Sequence, residues 1–154
     1  VDRNSREVIH KTPVTTIENW DIPVTSKGVK ACPGVLGGVE WNGPAYHPGT
    51  NLLYTVAVDW CSFFTADEKW ESREPGKGNF LGGRSRWASS PQGWLTATDA
   101  STGEVRWKYR SPRPMVGAVT ATGGDLVFTG ELTGDLVAFH AATGREVFRF
   151  NTGG

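Results

Sequence analysis

Residues 97–107 read Ala-Thr-Asp-Ala-Ser-Thr-Gly-Glu-Val-Arg-Trp, and residues 138–148 read Ala-Phe-His-Ala-Ala-Thr-Gly-Arg-Glu-Val-Phe. The second phrase is a worn copy of the first, moved from 97 to 138, an offset of 41 residues. That spacing suits one four-stranded propeller blade and exceeds the period of a leucine-rich repeat. A more degraded copy opens the chain, where Asp2, Ser5, Glu7 and Val8 stand in the places of Asp99, Thr102, Glu104 and Val105. The pattern has a physical logic. Asp99 and Thr102 are suited to hydrogen-bond the turn backbone, and Gly103 to take the positive φ that the turn needs. Trp107 offers a flat apolar face to a neighbouring blade. Phe148 keeps that face without the indole donor, and His10 holds the same place in the degraded copy.

Working outward from the last copy, strands are expected at 117–122, 126–130, 136–140 and 146–150, separated by glycine-bearing turns. Four such strands make one antiparallel meander. The preceding blade is less regular, with strands expected at 35–46, 52–60, 94–99 and 104–109. Between its second and third strands lies an insertion at 62–93, rich in Gly, Ser, Pro and charge. A connection of that length in a compact fold is usually functional or disordered, and here it is expected to cover one mouth of the propeller channel as a lid. Its Lys69, Arg73, Lys77, Arg84 and Arg86 are offset by Asp67, Glu68, Glu71 and Glu74, with Phe63, Phe64, Trp70, Phe80 and Trp87 interleaved. Aromatics among basic residues bind single-stranded nucleic acid in other settings; in this balanced one they are expected to pack the insertion onto the mouth.

Composition agrees with an all-β chain. Its 154 residues include 20 glycines, 9 prolines and 7 tryptophans but one methionine, which favours short strands and tight turns over helices. Sixteen acidic and sixteen basic residues leave no net charge, so no field favours nucleic acid or anionic lipid as a partner. No stretch approaches the roughly 20 apolar residues of a membrane span, so no transmembrane segment is expected. Two blades and part of a third do not close a ring, and both termini read as cuts through a larger protein. Residues 1–154 are therefore expected to be one partial β-propeller whose partners include the remaining blades.

Few residues carry an evident chemistry. His10, His47 and His140 are scattered and read as structural; Asp59, Asp99, Asp125 and Asp135 fall at strand ends or turns, where solvent contact or capping accounts for them. No phosphate loop, dinucleotide fingerprint or serine-nucleophile elbow is present. Cys32 and Cys61, the two cysteines, are 29 residues apart without a Cys-x-x-Cys or nearby His pair to suggest zinc, leaving a bridge or two buried thiols. Asn42 reads as a turn-stabilising residue or a ligand contact, and Trp41 as a core residue or a flat wall.

The phrase Gly-Gly-Val-Glu-Trp-Asn-Gly-Pro-Ala-Tyr-His-Pro-Gly-Thr-Asn at 37–51, the Asp-Trp-Cys at 59–61 and the Thr-Gly repeats together resemble the C-terminal part of the pyrroloquinoline quinone (PQQ) dependent alcohol dehydrogenases, the quinoproteins. The resemblance runs over nearly the whole chain and implies an eight-bladed propeller holding PQQ and calcium near its axis. It implies that Asn42 and Trp41 touch the quinone, Asn42 offering donors and an acceptor. It also implies a Cys32–Cys61 disulfide and hence an oxidising, periplasmic or secreted, location. The calcium ligands, the catalytic aspartate and a vicinal Cys-Cys pair are expected upstream, so no catalytic or metal residue is assigned here, and Glu40 has nothing to make it a base. The implied reaction is hydride transfer from an alcohol, polyol or sugar to the quinone, with electrons leaving to a cytochrome or quinone acceptor. The segment would supply a cofactor wall and blade packing, and would be inactive alone. The rival is a non-enzymatic propeller, as in outer-membrane assembly lipoproteins that use the same repeat to bind proteins. A secreted sugar-binding or structural fragment is a third reading.

Overall fold

Apolar and polar residues alternate along short segments bounded by Gly, Pro, Asn and Asp, and each such segment takes up extended structure. The computed structural model describes residues 1–69 and 82–154. Among these residues the strands, in chain order, are β1 (Val29–Ala31), β2 (Ala45–His47), β3 (Leu52–Asp59), β4 (Ser62–Ala66), β5 (Gly83–Trp87), β6 (Gln92–Asp99), β7 (Val105–Ser111), β8 (Val119–Ala121), β9 (Leu126–Gly130), β10 (Asp135–His140) and β11 (Glu146–Asn151). Two four-stranded antiparallel blades result, ordered β2-β3-β6-β7 and β8-β9-β10-β11, with a three-stranded sheet β1-β4-β5 beside them. No helix among the described residues is long and apolar enough to cross a membrane.

The second blade lies where the repeat placed it. The first strand of the other blade is far shorter than the 35–46 expected, because Gly37, Gly38, Gly43 and Pro44 interrupt it. Gly38 turns with φ of 105°, and only a single bridge, Gly38 to Val58, ties this loop to β3. Part of the 62–93 insertion is ordered as a hairpin, β4 pairing with β5 from Ser62 opposite Trp87 to Ala66 opposite Gly83. Its residues 70–81, including Trp70, Glu71, Arg73, Glu74, Lys77 and Phe80, lie outside the described residues.

The core sits between the two blades. Leu52, Tyr54, Val56, Leu95 and Ala97 of the first face Val119, Val127, Val137 and Phe139 of the second, with Met115 from the connection between them. At the edge of this core the repeat does its work. The Trp107 indole N–H donates to the Ala141 carbonyl at 2.8 Å, and its ring lies so close over Gly144 that a Cβ there would meet it at 2.5 Å. The degraded copy repeats the arrangement one blade earlier: His10 Nε2 lies 3.2 Å from the Ala100 carbonyl, and a Cβ on Gly103 would meet its ring at 2.6 Å. The turns match as well. Asp99 accepts from the Ser101 and Thr102 amides, as Asp2 does from Asn4 and Ser5. Arg6 takes the glycine's left-handed place with φ of 63°, against 78° at Gly103 and 69° at Gly144. His140 replaces the aspartate in the third turn, and its Nδ1 is buried without a partner.

A polar clasp joins the outer strands. Arg149 on β11 pairs with Glu131 at 2.6 Å, Asp135 at 3.0 Å and Glu146 at 2.8 Å. Tyr109 on β7 donates to Glu131 at 3.0 Å and accepts from Arg149 at 3.1 Å. The hydrogen bonds from Arg149, helped by its positive charge, hold the Glu146 carboxyl below its ordinary range against burial and the nearby Asp135 charge. Phe148 and Phe150, which would dock on a following blade, are 50% and 57% exposed.

Trp107→Phe keeps the apolar contact and leaves the Ala141 carbonyl satisfied by the Tyr54 hydroxyl at 3.1 Å, so urea denaturation should show a loss of about 1–2 kcal/mol. Gly144→Ala combines a left-handed φ with a clash against the indole, and should cost more, about 2–4 kcal/mol. Equal, negligible losses for both would remove the docking role given to this contact.

Candidate functional site

The strand registers divide the first blade into two ends. The Thr-Gly turn joins β6 to β7 at one end, while the end of β3 at Asp59, the start of β6 at Gln92 and the end of β7 at Ser111 share the other. The loop carrying Trp41 and Asn42 leaves the Gly38–Val58 bridge near that second end and runs along β3 to the start of β2, opposite Tyr54. The hairpin β4–β5 departs from the same end, between Asp59 and Gln92.

Asn42 joins the two innermost strands. Its Nδ2 donates to the Gly117 carbonyl at 3.2 Å, and Gly117 lies just before β8, the inner strand of the second blade. This bond orients the amide, since the opposite orientation would set two oxygens against each other. The Oδ1 is left buried with no partner, an acceptor whose desolvation is unrepaid within the chain. Trp41 beside it is 82% exposed and packs in no core among the described residues. Among the described residues no group of three or more His, Cys, Asp or Glu side chains comes together to hold a metal.

Cys32 and Cys61 are joined in a disulfide, with Cα atoms 4.5 Å apart. Glu18 and Cys32 exchange backbone bonds at 3.0 and 2.8 Å, and the Gly34 amide donates to the Trp60 carbonyl at 2.6 Å. The cross-link thereby fixes the approach to the 37–44 loop from one side, and the Gly38–Val58 bridge fixes it from the other.

Its place at a strand end predicts solvent contact or turn capping for Asp59; it is instead buried. It accepts from the Trp94 indole at 2.7 Å, the Thr16 hydroxyl at 3.0 Å, the Gln92 amide at 3.1 Å and the Thr16 backbone amide at 3.3 Å. Burial pushes its carboxyl up, and these donors together outweigh burial and hold it below the ordinary range. Lys108 lies 4.0 Å over the Trp94 ring; burial lowers its ammonium, with the Asp59 charge opposing. The signal for Asp59 was its place at the end of the apolar run 52–60, in a strand buried nearly throughout. His47 is likewise buried, its Nδ1 accepting the Thr50 amide at 3.1 Å and its Nε2 lying 3.5 Å from Asp125 of the second blade.

A family model, PQQ_2, described as outer membrane protein assembly factor BamB, matches residues 65–154. The chain is similar to a quinoprotein ethanol dehydrogenase of Pseudomonas putida, 37% identical over 137 residues, which covers 86% of this chain and 22% of that protein. It is also similar to the crystal structure of the quinohemoprotein alcohol dehydrogenase from Comamonas testosteroni, with a TM-score of 0.73 and 32% identity over 83% of this chain and 21% of that one. A europium-containing methanol dehydrogenase shares the fold, with a TM-score of 0.70 at 22% identity, over 82% of this chain and 23% of that one. The chain thus spans about a fifth of the length of these relatives.

Two measurements probe this end of the blade. Because the folded Asp59 carboxyl sits below its unfolded value of about 3.9, its ionised form adds stability that is fully present above that value and lost as pH falls below it. Asp59→Asn should cost about 1.5–3 kcal/mol at neutral pH and flatten the fall in stability below about pH 4. Thiol titration of oxidised, denatured chain should find no free cysteine, and replacing both cysteines by serine should lower stability by about 3–4 kcal/mol on the loop-entropy estimate.

Proposed function

The chain belongs to the PQQ_2 repeat family, and on that premise we propose that it forms two blades of a quinoprotein alcohol dehydrogenase and supplies one wall of the PQQ site. The observation that carries this reading is the buried, unpaired Asn42 Oδ1 at the junction of the two inner strands. An acceptor held there without a protein partner fits a bound group that brings a donor, and the exposed Trp41 ring fits a flat conjugated one. PQQ, when bound, supplies a two-electron acceptor for hydride from the substrate, an alcohol, polyol or sugar.

This chain's own residues position and exclude. Asn42 orients the group through Oδ1 while Nδ2 keeps the inner strands together, and Trp41 covers its face. The disulfide and the Gly38–Val58 bridge restrain the loop that bears both side chains. The 62–93 insertion leaves the blade at the same end, which supports its reading as a lid that keeps water out. The base and the calcium ligands belong to other blades, and electrons pass on to a cytochrome or quinone acceptor. The disulfide supports a periplasmic or secreted location. The scaffold reading draws on the description of the matching family model, and a propeller of that kind has no need of a buried acceptor facing its junction.

The test uses the full-length parent. It should bind PQQ and oxidise alcohols with an artificial dye, and Asn42→Ala should weaken PQQ binding by tenfold or more while the far-UV spectrum stays unchanged. A parent that folds and fails to bind PQQ would turn the reading to the scaffold. The isolated chain given PQQ and calcium should show no dye-linked oxidation, since one wall cannot hold the reactants in register.

A further inference from the structure

Antiparallel pairing turns backbone groups alternately toward and away from the neighbouring strand, and in the inserted sheet the alternation is fixed at both ends. The Asp67 amide donates to the Gly82 carbonyl at 2.8 Å and the Ala88 amide to the Cys61 carbonyl at 3.0 Å, one on either side of a register that runs from Ser62 opposite Trp87 to Ala66 opposite Gly83. Arg84 and Arg86 are therefore the residues of β5 that bond β4, and the backbone groups of Gly83, Ser85 and Trp87 point the other way. β5 is the last strand of its sheet, so among the described residues no strand receives those groups. Arg84 to Trp87 are exposed.

The two faces beside this edge differ in chemistry. Arg84 stands opposite Thr65 and Arg86 opposite Phe63, with the Arg86 guanidinium 4.5 Å from the centre of the Phe63 ring, so both cations rise from one face of the sheet. Among the described residues no carboxylate makes an ion pair with either. On the other face Ser85 stands opposite Phe64. A groove of about 640 Å³ runs there, walled by Val24, Val35, Phe64 and Ala66 and reaching Gly83 and Ser85.

An open edge of this kind is a template for another strand. A second copy of the same edge fits poorly: antiparallel pairing about Ser85 would set Arg84 of each copy opposite Arg86 of the other, and like charges directly opposite destabilise a pair. A segment with carboxylates at those two positions meets the reverse outcome. We propose that β5 takes up an extended segment of a partner protein as a further antiparallel strand, with acidic residues two apart lying opposite Arg84 and Arg86 and apolar residues between and beside them lying over the groove. Main-chain bonds to Gly83, Ser85 and Trp87 supply the attachment, and the alternation of side chains supplies the choice of partner. The inference rests on register, charge and groove and does not depend on the proposed redox role.

The test uses the full-length parent and a dye-labelled heptapeptide, Thr-Val-Glu-Val-Glu-Val-Thr with both ends blocked. Fluorescence anisotropy should show saturable binding with a dissociation constant on the order of 100 μM, and hydrogen exchange within 83–87 should slow when the peptide is added. The same peptide with lysine in place of both glutamates, or N-methylated at its central valine, should bind at least tenfold more weakly. Ser85→Pro removes one outward N–H at a place where an edge strand tolerates proline, and should weaken binding equally. Arg84→Glu combined with Arg86→Glu should reverse the preference, so that the lysine peptide binds better. A peptide that fails to bind, or that binds as well after lysine exchange, N-methylation or Ser85→Pro, would overturn the proposal and leave the arginines the role of keeping the edge unpaired. Slow exchange within 83–87 in the free parent would also overturn it, since the parent's own chain would then cover the edge.

Discussion

The Trp107 indole lying on the Gly144 turn is the contact from which the arrangement of the two blades follows. A blade is a twisted sheet with two faces to cover, and packing alone leaves its neighbour free to slide along the strands. The indole removes that freedom. Its N–H is tied to the Ala141 carbonyl and its face is seated where no side chain fits on Gly144, so the outer strand of one blade is keyed to the last turn of the next. Tyr54, from an inner strand, reaches the same carbonyl, and the key therefore spans the width of the blade. The His10 contact on Gly103 shows the same key cut in poorer metal: a smaller ring, and a turn that forces Arg6 into a left-handed conformation suited to glycine.

Most of this was legible because the repeat is a phrase of turn and docking chemistry. Asp, Thr, Gly and Trp each have one physical task at their position, and the tasks remain recognisable when residues are replaced: Ser5 for Thr102, His10 for Trp107. The inner strand of the first blade was less legible. Its 35–46 stretch contains enough apolar residues to read as a strand, and only the local glycines and Pro44 decide that most of it is loop. The burial of Asp59 was hidden in the sequence for a related reason. A strand buried on both faces has no solvent side, so its terminal carboxylate needs donors from elsewhere in the chain, Thr16 and Gln92 among them, and separation in sequence hides such partners. The pairing of β1 with β4 had no sequence signal of its own, because three residues are too few to show a period.

The residues at the site end form a layered support. Asp59 gathers Thr16, Gln92 and Trp94; the disulfide and the Glu18–Cys32 bridge bind the preceding segment to the next strand; and the loop bearing Trp41 and Asn42 rests between that layer and the second blade. Asn42 itself has divided duties, one end of its amide closing the junction and the other left unpaired. An asparagine is apt for this because it carries a donor and an acceptor side by side, whereas a carboxylate would set a charge against the Gly117 carbonyl.

Keying and site are therefore coupled through the backbone. Trp107 and Tyr54 set the second blade's last turn, that turn belongs to β10, and β10 is paired through β9 to β8, whose approach carries the Gly117 carbonyl that Asn42 holds. A shift of the docked turn along the first blade is transmitted across three hydrogen-bonded strands toward the partner of Asn42. A hydrogen bond weakens steeply once its geometry departs from the ideal, so displacement of the turn by about an ångström would free the amide to rotate and leave its acceptor without a defined direction. The docking repeat, which carries no chemistry of its own, is in this way what gives the Asn42 acceptor a fixed direction.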